Sequence, residues 1–111
     1  LANYQTIALS RPEADQGELR GSIVRVDRFG NLITDIDRRT FEQFAAKASI
    51  AIEVGGREIP RIVATYADAP PSELCALFGS TDHLEVAINA GDAAATLGLG
   101  RGAAARVRIV R

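Results

Sequence analysis

"GSIVRVDRFGNLITDI", Gly21–Ile36, is the stretch whose reading decides the fold. Two β-type runs flank a reversal. The reversal holds what a tight turn needs: Gly30 enters positive φ without steric cost, and Asn31 tolerates it. Upstream, Val24 and Val26 fall on one side of an extended chain and Arg25 and Asp27 on the other. The same alternation recurs along the chain. Ile50, Ile52 and Val54 alternate with Ala51 and Glu53, and Leu84, Val86 and Ile88 with Glu85 and Ala87. Val107 and Ile109 alternate with Arg106 and Arg108. A period of two, repeated in short runs, predicts half-buried strands packed on one face only. "VGGRE", Val54–Glu58, has the Gly-Gly of a two-residue hairpin connection. The fold class is therefore all-β, mainly antiparallel. Strands that close on one another to protect their edges give a small β-barrel with one or two short helices.

The first helix is signalled by Thr40 as N-cap with Gln43 completing a capping box. Phe41, Phe44, Ala45 and Ala48 then share a face, which should lie across an open end or face of the sheet. A shorter helix is predicted from Asp92 as N-cap through Ala93–Leu97, stopped by Gly98. The opening differs in character. "SRPEADQGELR" is polar, contains Pro12 and Gly17, and has no period. Residues 1–19 read as a linker from a missing N-terminal domain, an expectation supported by the initial Leu1, and residues 20–111 read as the barrel domain.

Composition narrows the function. The chain has 111 residues, one domain's worth, enough to bury about two thirds of the surface its unfolded form exposes. Its net charge of −1 argues against nucleic acid as a partner, which needs a basic stripe, and gives no reason to expect a membrane surface. No run approaches the ~20 apolar residues of a membrane span, and "LANYQTIALSRP" is not a signal peptide. One cysteine, Cys75 in "LCALF", excludes an internal disulfide framework and reads as a small buried hydrophobe. With one histidine, His83, a His-rich metal site is excluded. These features fit a cytoplasmic protein with no metal site.

Two clusters could carry chemistry. The first is Asp27, Phe29 and Asn31, more than a turn alone requires. The second is "FGSTDHLEVAINAGDAA", Phe78–Ala94, where Glu85 and Asn89 point to the same side with the small Ala87 between them. Gly91 and a helix start follow, with amides able to meet polar groups. Together they offer an aromatic stacking face, two amides able to read the edge of a base, and carboxylates for a cationic group. Each residue also has a structural alternative: Asn31 closing the turn, Phe29 filling core, Asp27 capping a backbone amide. Asp35 and Asp37 read as solvated or capping residues, and "LGLGRG", Leu97–Gly102, as a turn rather than a dinucleotide fingerprint.

"GSIVRVDRFGNLITDI" and "TYADAPPSELCALFGSTDHLEVAINAGDAAATLG" together resemble the C-terminal domain of the S-adenosylmethionine hydroxide adenosyltransferases, relatives of fluorinase and chlorinase. The resemblance runs from about Arg20 to Arg111 and rests on D-R-F-G-N-L and G-S-x-x-x-L-E-V-A-x-N-x-G-x-A-A in that order. It implies an N-terminal α/β domain followed by a small barrel, assembly as a homotrimer, and an active site between the barrel and the N-terminal domain of a neighbouring subunit. The implied reaction is attack of water or hydroxide at the ribose C5′ of S-adenosylmethionine, giving adenosine and methionine. Asp27 matches the carboxylate that holds the methionine ammonium, and Phe29 and Asn31 line the adenosine. Tyr66 matches a ring against adenine, and Ser80 a contact to the methionine end. Asn89, Ala90 and the backbone to Ala93 match adenine-edge contacts, whereas Glu85 belongs to the hydrolase version of the motif without an assigned role.

Thr81 stands where the halogenating relatives carry Arg, and the turn is one residue shorter than in the fluorinase pattern. Both departures point to the hydrolase branch, whereas Asp35 replaces a second Asn as a tolerable loop change. The family's water-activating set belongs to the N-terminal domain, so no catalytic residue is expected in this chain, and the chain alone is expected to be inactive. The alternative is a non-enzymatic barrel module for interaction or oligomerisation.

Overall fold

The computed structural model of the protein describes residues 13–15, 17–46 and 48–110. Among them, eight strands form one sheet. In chain order these are β1 (Glu13–Asp15), β2 (Glu18–Val26), β3 (Leu32–Asp37), β4 (Ile50–Val54), β5 (Arg57–Ile59), β6 (Leu74–Phe78), β7 (His83–Ile88) and β8 (Ala104–Ile109). Two helices accompany them, α1 (Arg38–Ala45) and α2 (Ala93–Leu97). The spatial order is β5-β4-β8-β2-β3-β7-β6, every pairing antiparallel, with β1 paired onto β2 off this path. The chain leaving β5 returns along β6. The Val63 amide donates to the Ala76 carbonyl, and the Ala76 amide to the Arg61 carbonyl, both at 2.8 Å. This draws the two ends of the strand order together into the nearly closed barrel that the alternation predicts.

β2 serves two neighbours. Its residues from Glu18 to Ser22 pair with β8, and those from Ile23 to Val26 pair with β3. The register slips between Ile23 and Arg25, a bulge that bends the strand around the barrel's corner. Asp35 Oδ1 accepts from the Ser22 amide at 2.9 Å there. Gly21 leaves the room for it: a Cβ at this position would run into the side chains of Asp35 and Ile36. The bulge corrects the expected facing of β2. Ile23 takes the core position at 1% exposure, while Val24 and Val26 turn outward, 36% and 38% exposed. The sheet also begins before Arg20, because Glu13–Asp15 forms a hairpin with β2 inside the stretch read as linker. Residues 1–12 of that stretch lie outside the described residues.

Leu19, Ile23, Leu32, Ile36, Val86 and Val107 fill the barrel interior. β4 follows its alternation, with Ile52 and Val54 buried. β7 does not pack on one face only. Glu85 and Ala87 are buried as well as Leu84, Val86 and Ile88, because a second small cluster of Ala69, Cys75, Leu77 and Ala87 covers part of the outer face. Cys75 is the buried hydrophobe expected, and burial pushes its thiol pKa up, away from reactivity.

α1 starts earlier than its capping box implies. Asp37, not Thr40, is the N-cap: Asp37 Oδ2 accepts from the Thr40 amide at 3.0 Å and Oδ1 from the Thr40 hydroxyl at 2.6 Å. A carboxylate with two acceptor oxygens outcompetes a hydroxyl for this place. The Thr40 hydroxyl and then its amide hold the Asp37 carboxyl below the usual carboxylate range. Phe41 and Ala45 are buried and Phe44 half-buried, as expected, but Ala48 lies beyond the helix and is exposed. The Phe41 ring meets Phe78 edge-on at 5.1 Å. α2 forms as read, with Asp92 Oδ1 accepting from the Ala95 amide at 2.8 Å and Gly98 left-handed at φ 68°. Gly55 and Gly56, both at positive φ, make the β4–β5 turn. Among the described residues no helix is long and apolar enough to cross a membrane.

The β3–β7 ladder is irregular between Ile33 and Asp37, and Thr34 bridges the gap. Its buried hydroxyl donates to the Leu84 carbonyl at 2.8 Å and accepts from the Ile36 amide at 3.1 Å. Thr34→Val should therefore cost about 1–3 kcal/mol in urea unfolding by leaving both groups unpaired. A loss of only a few tenths would show that the ladder closes without it. Asp37→Ala should cost about 1 kcal/mol at pH 7. Because the folded pKa is lowered, that difference is full above the ordinary carboxylate value and fades as pH falls through the lowered one. Denaturation at neutral and strongly acidic pH checks it.

Candidate functional site

The reversal between β2 and β3 is held by its own carboxylate. Asp27 Oδ1 accepts from the amides of Phe29 at 2.9 Å and Asn31 at 3.0 Å, and Oδ2 accepts from Asn31 Nδ2 at 3.1 Å. The Gly30 amide donates to the Asp27 carbonyl and the Asp27 amide to the Asn31 carbonyl. The structural alternatives for Asp27 and Asn31 are thus realised. Both lock the turn, a side-chain-to-backbone device available to short polar residues.

Gly30 clamps this turn onto α2. It lies buried at φ 82°, its carbonyl accepts from the Ala94 amide at 2.9 Å, and a Cβ here would collide with the Asp92 carboxylate. With the turn fixed, Phe29 is thrown outward, 64% exposed rather than in the core. The Arg28 guanidinium lies 5.3 Å from its ring centroid, a cation–π contact that backs one face of the ring. Sequence alone left Arg28 without a role.

Phe29 and Asn31 stand between two open clefts. One, about 320 Å³, is completed by Ile88, Ala90 and Gly91. Ala90 is left-handed at φ 63°, and the Gly91 amide folds back to the Ile88 carbonyl, so this wall is largely backbone. The other, about 350 Å³, gathers Asp27, Ser80 and Glu85 with Phe29 and Asn31. Arg25, Ile33, Leu77 and Gly79 complete it. Both volumes are near the lower end for small-molecule sites.

Five of the eight residues singled out by sequence therefore share one cleft, and Ala90 joins two of them in its neighbour. Asn89 lines neither. Its Nδ2 donates to the Ala69 carbonyl at 2.8 Å and its carbonyl accepts from the Ser72 amide, which fastens the loop before β6. Tyr66 opens a 3-10 turn, Tyr66–Asp68, and its side chain lies outside the described residues. Sequence reading missed Arg25 and Gly79. A glycine directly ahead of Ser80 was the available signal, since glycine marks close approach.

Glu85 forms part of the cleft floor. It is 7% exposed and pairs across the sheet with Ile33 on β3 and Leu77 on β7's other neighbour, β6. A Cβ on Gly79 would occupy the place of its carboxyl group. Burial, chiefly, and then the charge of Asp27 push the Glu85 pKa up, while Arg25 and His83 oppose the shift.

The family described as the SAM hydroxide adenosyltransferase C-terminal domain matches residues 21–106. An (R)-S-adenosyl-L-methionine hydrolase of Thermus thermophilus is 38% identical over 87 residues, covering 78% of this chain and 31% of the relative. The chain thus spans about a third of the length of that curated relative. A conserved, uncharacterized protein of Thermotoga maritima superposes with TM-score 0.79 at 25% identity, over 97% of this chain and 42% of the other. A conserved hypothetical protein of Thermus thermophilus gives 0.64 at 37% identity, over 82% and 34%.

A raised carboxyl pKa costs stability once the unfolded chain ionises. The Glu85 group favours the folded state fully below its ordinary value of 4.5, and that contribution is lost as pH rises through the folded value. Glu85→Gln is therefore expected to raise the melting temperature at pH 8 and to lose that gain near pH 4. An equal shift at both pH values in thermal melts would mean that ionisation of Glu85 is not the cause.

Proposed function

Because this chain belongs to the family of S-adenosylmethionine hydroxide adenosyltransferase C-terminal domains, we propose that it supplies the adenosine-binding half of an active site hydrolysing S-adenosylmethionine. The observation that carries this reading is the meeting of Asp27, Phe29, Asn31 and Ser80 on one cleft inside the matched segment. The outward Phe29 ring is a stacking wall for the nucleoside. The Asn31 amide and the backbone from Ala90 to Ala93 meet the adenine edge, while Asn89, which lines neither cleft, fastens the loop before β6. Tyr66 adds a ring to the adenine, Ser80 meets the methionine end, and Asp27 accepts the methionine ammonium.

In the reaction, water or hydroxide attacks the ribose C5′. The C5′–S bond breaks with its electron pair going to sulfur. Methionine leaves, adenosine forms, and the proton released from water passes to solvent. A sulfonium leaves as a neutral thioether and needs no general acid, so a half-site made of binding groups suits the chemistry. What the barrel contributes is orientation, which can lower a barrier by several kcal/mol. The water-activating groups come from an N-terminal α/β domain of a neighbouring subunit in a homotrimer, and no cofactor takes part.

The full-length protein is expected to release adenosine and methionine from S-adenosylmethionine, and the 111-residue chain alone to release none. Phe29→Ala in the full-length protein should leave stability within about 0.5 kcal/mol, since the ring is exposed. It should weaken adenosine about tenfold, since stacking on an aromatic ring is worth about 1–3 kcal/mol per base. Chromatography of the products and calorimetric titration test both. A full-length protein without turnover, or a Phe29→Ala variant with unchanged affinity, would sink the reading.

A further inference from the structure

Asp27 keeps about one acceptor place for the ammonium assigned to it. Its Oδ1 accepts two amides and its Oδ2 accepts Asn31 Nδ2, so about one of roughly four acceptor sites remains. Glu85 stands in the opposite condition. Its side chain is more than nine-tenths buried, lines the same cleft, and makes no hydrogen bond or ion pair with any described residue. Arg25, the cation on the cleft wall, is not in ion-pair contact with it. The other charged groups that act on Glu85 are Asp27 and His83. Gly79 keeps the space for the carboxyl group open. The Glu85 carboxyl oxygens are not fully enclosed: they open onto the cleft without a partner among the described residues, where a cation arriving with the ligand can pair with them.

We infer that Glu85 is a specificity-determining residue that takes the positive charge of the bound sulfonium substrate and so separates it from the uncharged nucleoside product. The inference rests on the proposed adenosine-binding reading. Its chemistry is one carboxylate against one cationic group, which S-adenosylmethionine offers as the sulfonium and as the α-ammonium. Burial raises the Glu85 pKa, and an approaching cation favours the ionised form.

The test measures calorimetric affinities of the full-length protein for S-adenosylmethionine, S-adenosylhomocysteine and adenosine, with and without Glu85→Gln. The substitution is expected to weaken S-adenosylmethionine about tenfold or more, the worth of a charge-assisted contact. Adenosine should stay within about twofold. A parallel loss for S-adenosylhomocysteine assigns the contact to the ammonium, and no loss there assigns it to the sulfonium; either supports the inference. Gly79→Ala, which displaces the Glu85 carboxyl without removing it, should reproduce the selective loss. Equal changes for S-adenosylmethionine and adenosine, or none, overturn the inference while the adenosine site stands. A wild-type protein that binds neither compound overturns the adenosine-binding reading, and this inference falls with it.

Discussion

The bend in β2 is the constraint on which the architecture depends. One strand pairs with β8 along its first half and with β3 along its second, so it belongs to both walls of the barrel. A strand can change direction so abruptly only where its ladder is interrupted, and the interruption leaves a backbone amide to satisfy. Asp35 reaches across from β3 to accept from Ser22, and the absence of a side chain at Gly21 lets it approach. This local arrangement sets where β3 begins, and with it the direction in which the β2–β3 turn leaves the barrel.

That turn is then rigid for local reasons. A single carboxylate satisfies two amides and a side-chain amide, and Gly30 ties the loop to the first turn of α2. An exposed aromatic ring would ordinarily lose rotational freedom on meeting a ligand. Here its backbone is fixed beforehand and a guanidinium lies against it. Binding to such a surface loses less in ordering than binding to a mobile loop.

Much of this was legible in the sequence. Alternation located β4, β7 and β8, Gly-Gly marked the β4–β5 turn, and Asp92 with Gly98 bounded α2. These are signals within a few residues of one another. The failures share the opposite character. Val24 and Val26 face outward because of a bulge whose stabilising partner, Asp35, is more than ten residues away in the chain. β7 is buried on both faces because a segment before β6 folds over it, which no period within β7 can reveal. Thr40 lost the cap to Asp37 because two valid capping residues lie close together and an anionic oxygen is the stronger acceptor. At the site, sequence singled out five residues that share one cleft, but which of the two carboxylates is engaged by the protein itself depends on distances that no pattern encodes.

The segment that returns from β5 along β6 has a consequence for the solution behaviour of the molecule. Sheets aggregate through open edges, where unpaired amides and carbonyls offer a template to another chain. Here the edge of β6 is occupied at Ala76 by both hydrogen bonds from the returning segment. The opposite end of the order, β5, is only three residues long and carries Arg57 and Glu58 exposed to solvent. Both ends are therefore blunted, one by pairing and one by brevity and charge. A barrel that stops short of full closure gains in this way the colloidal protection that closure would have given it.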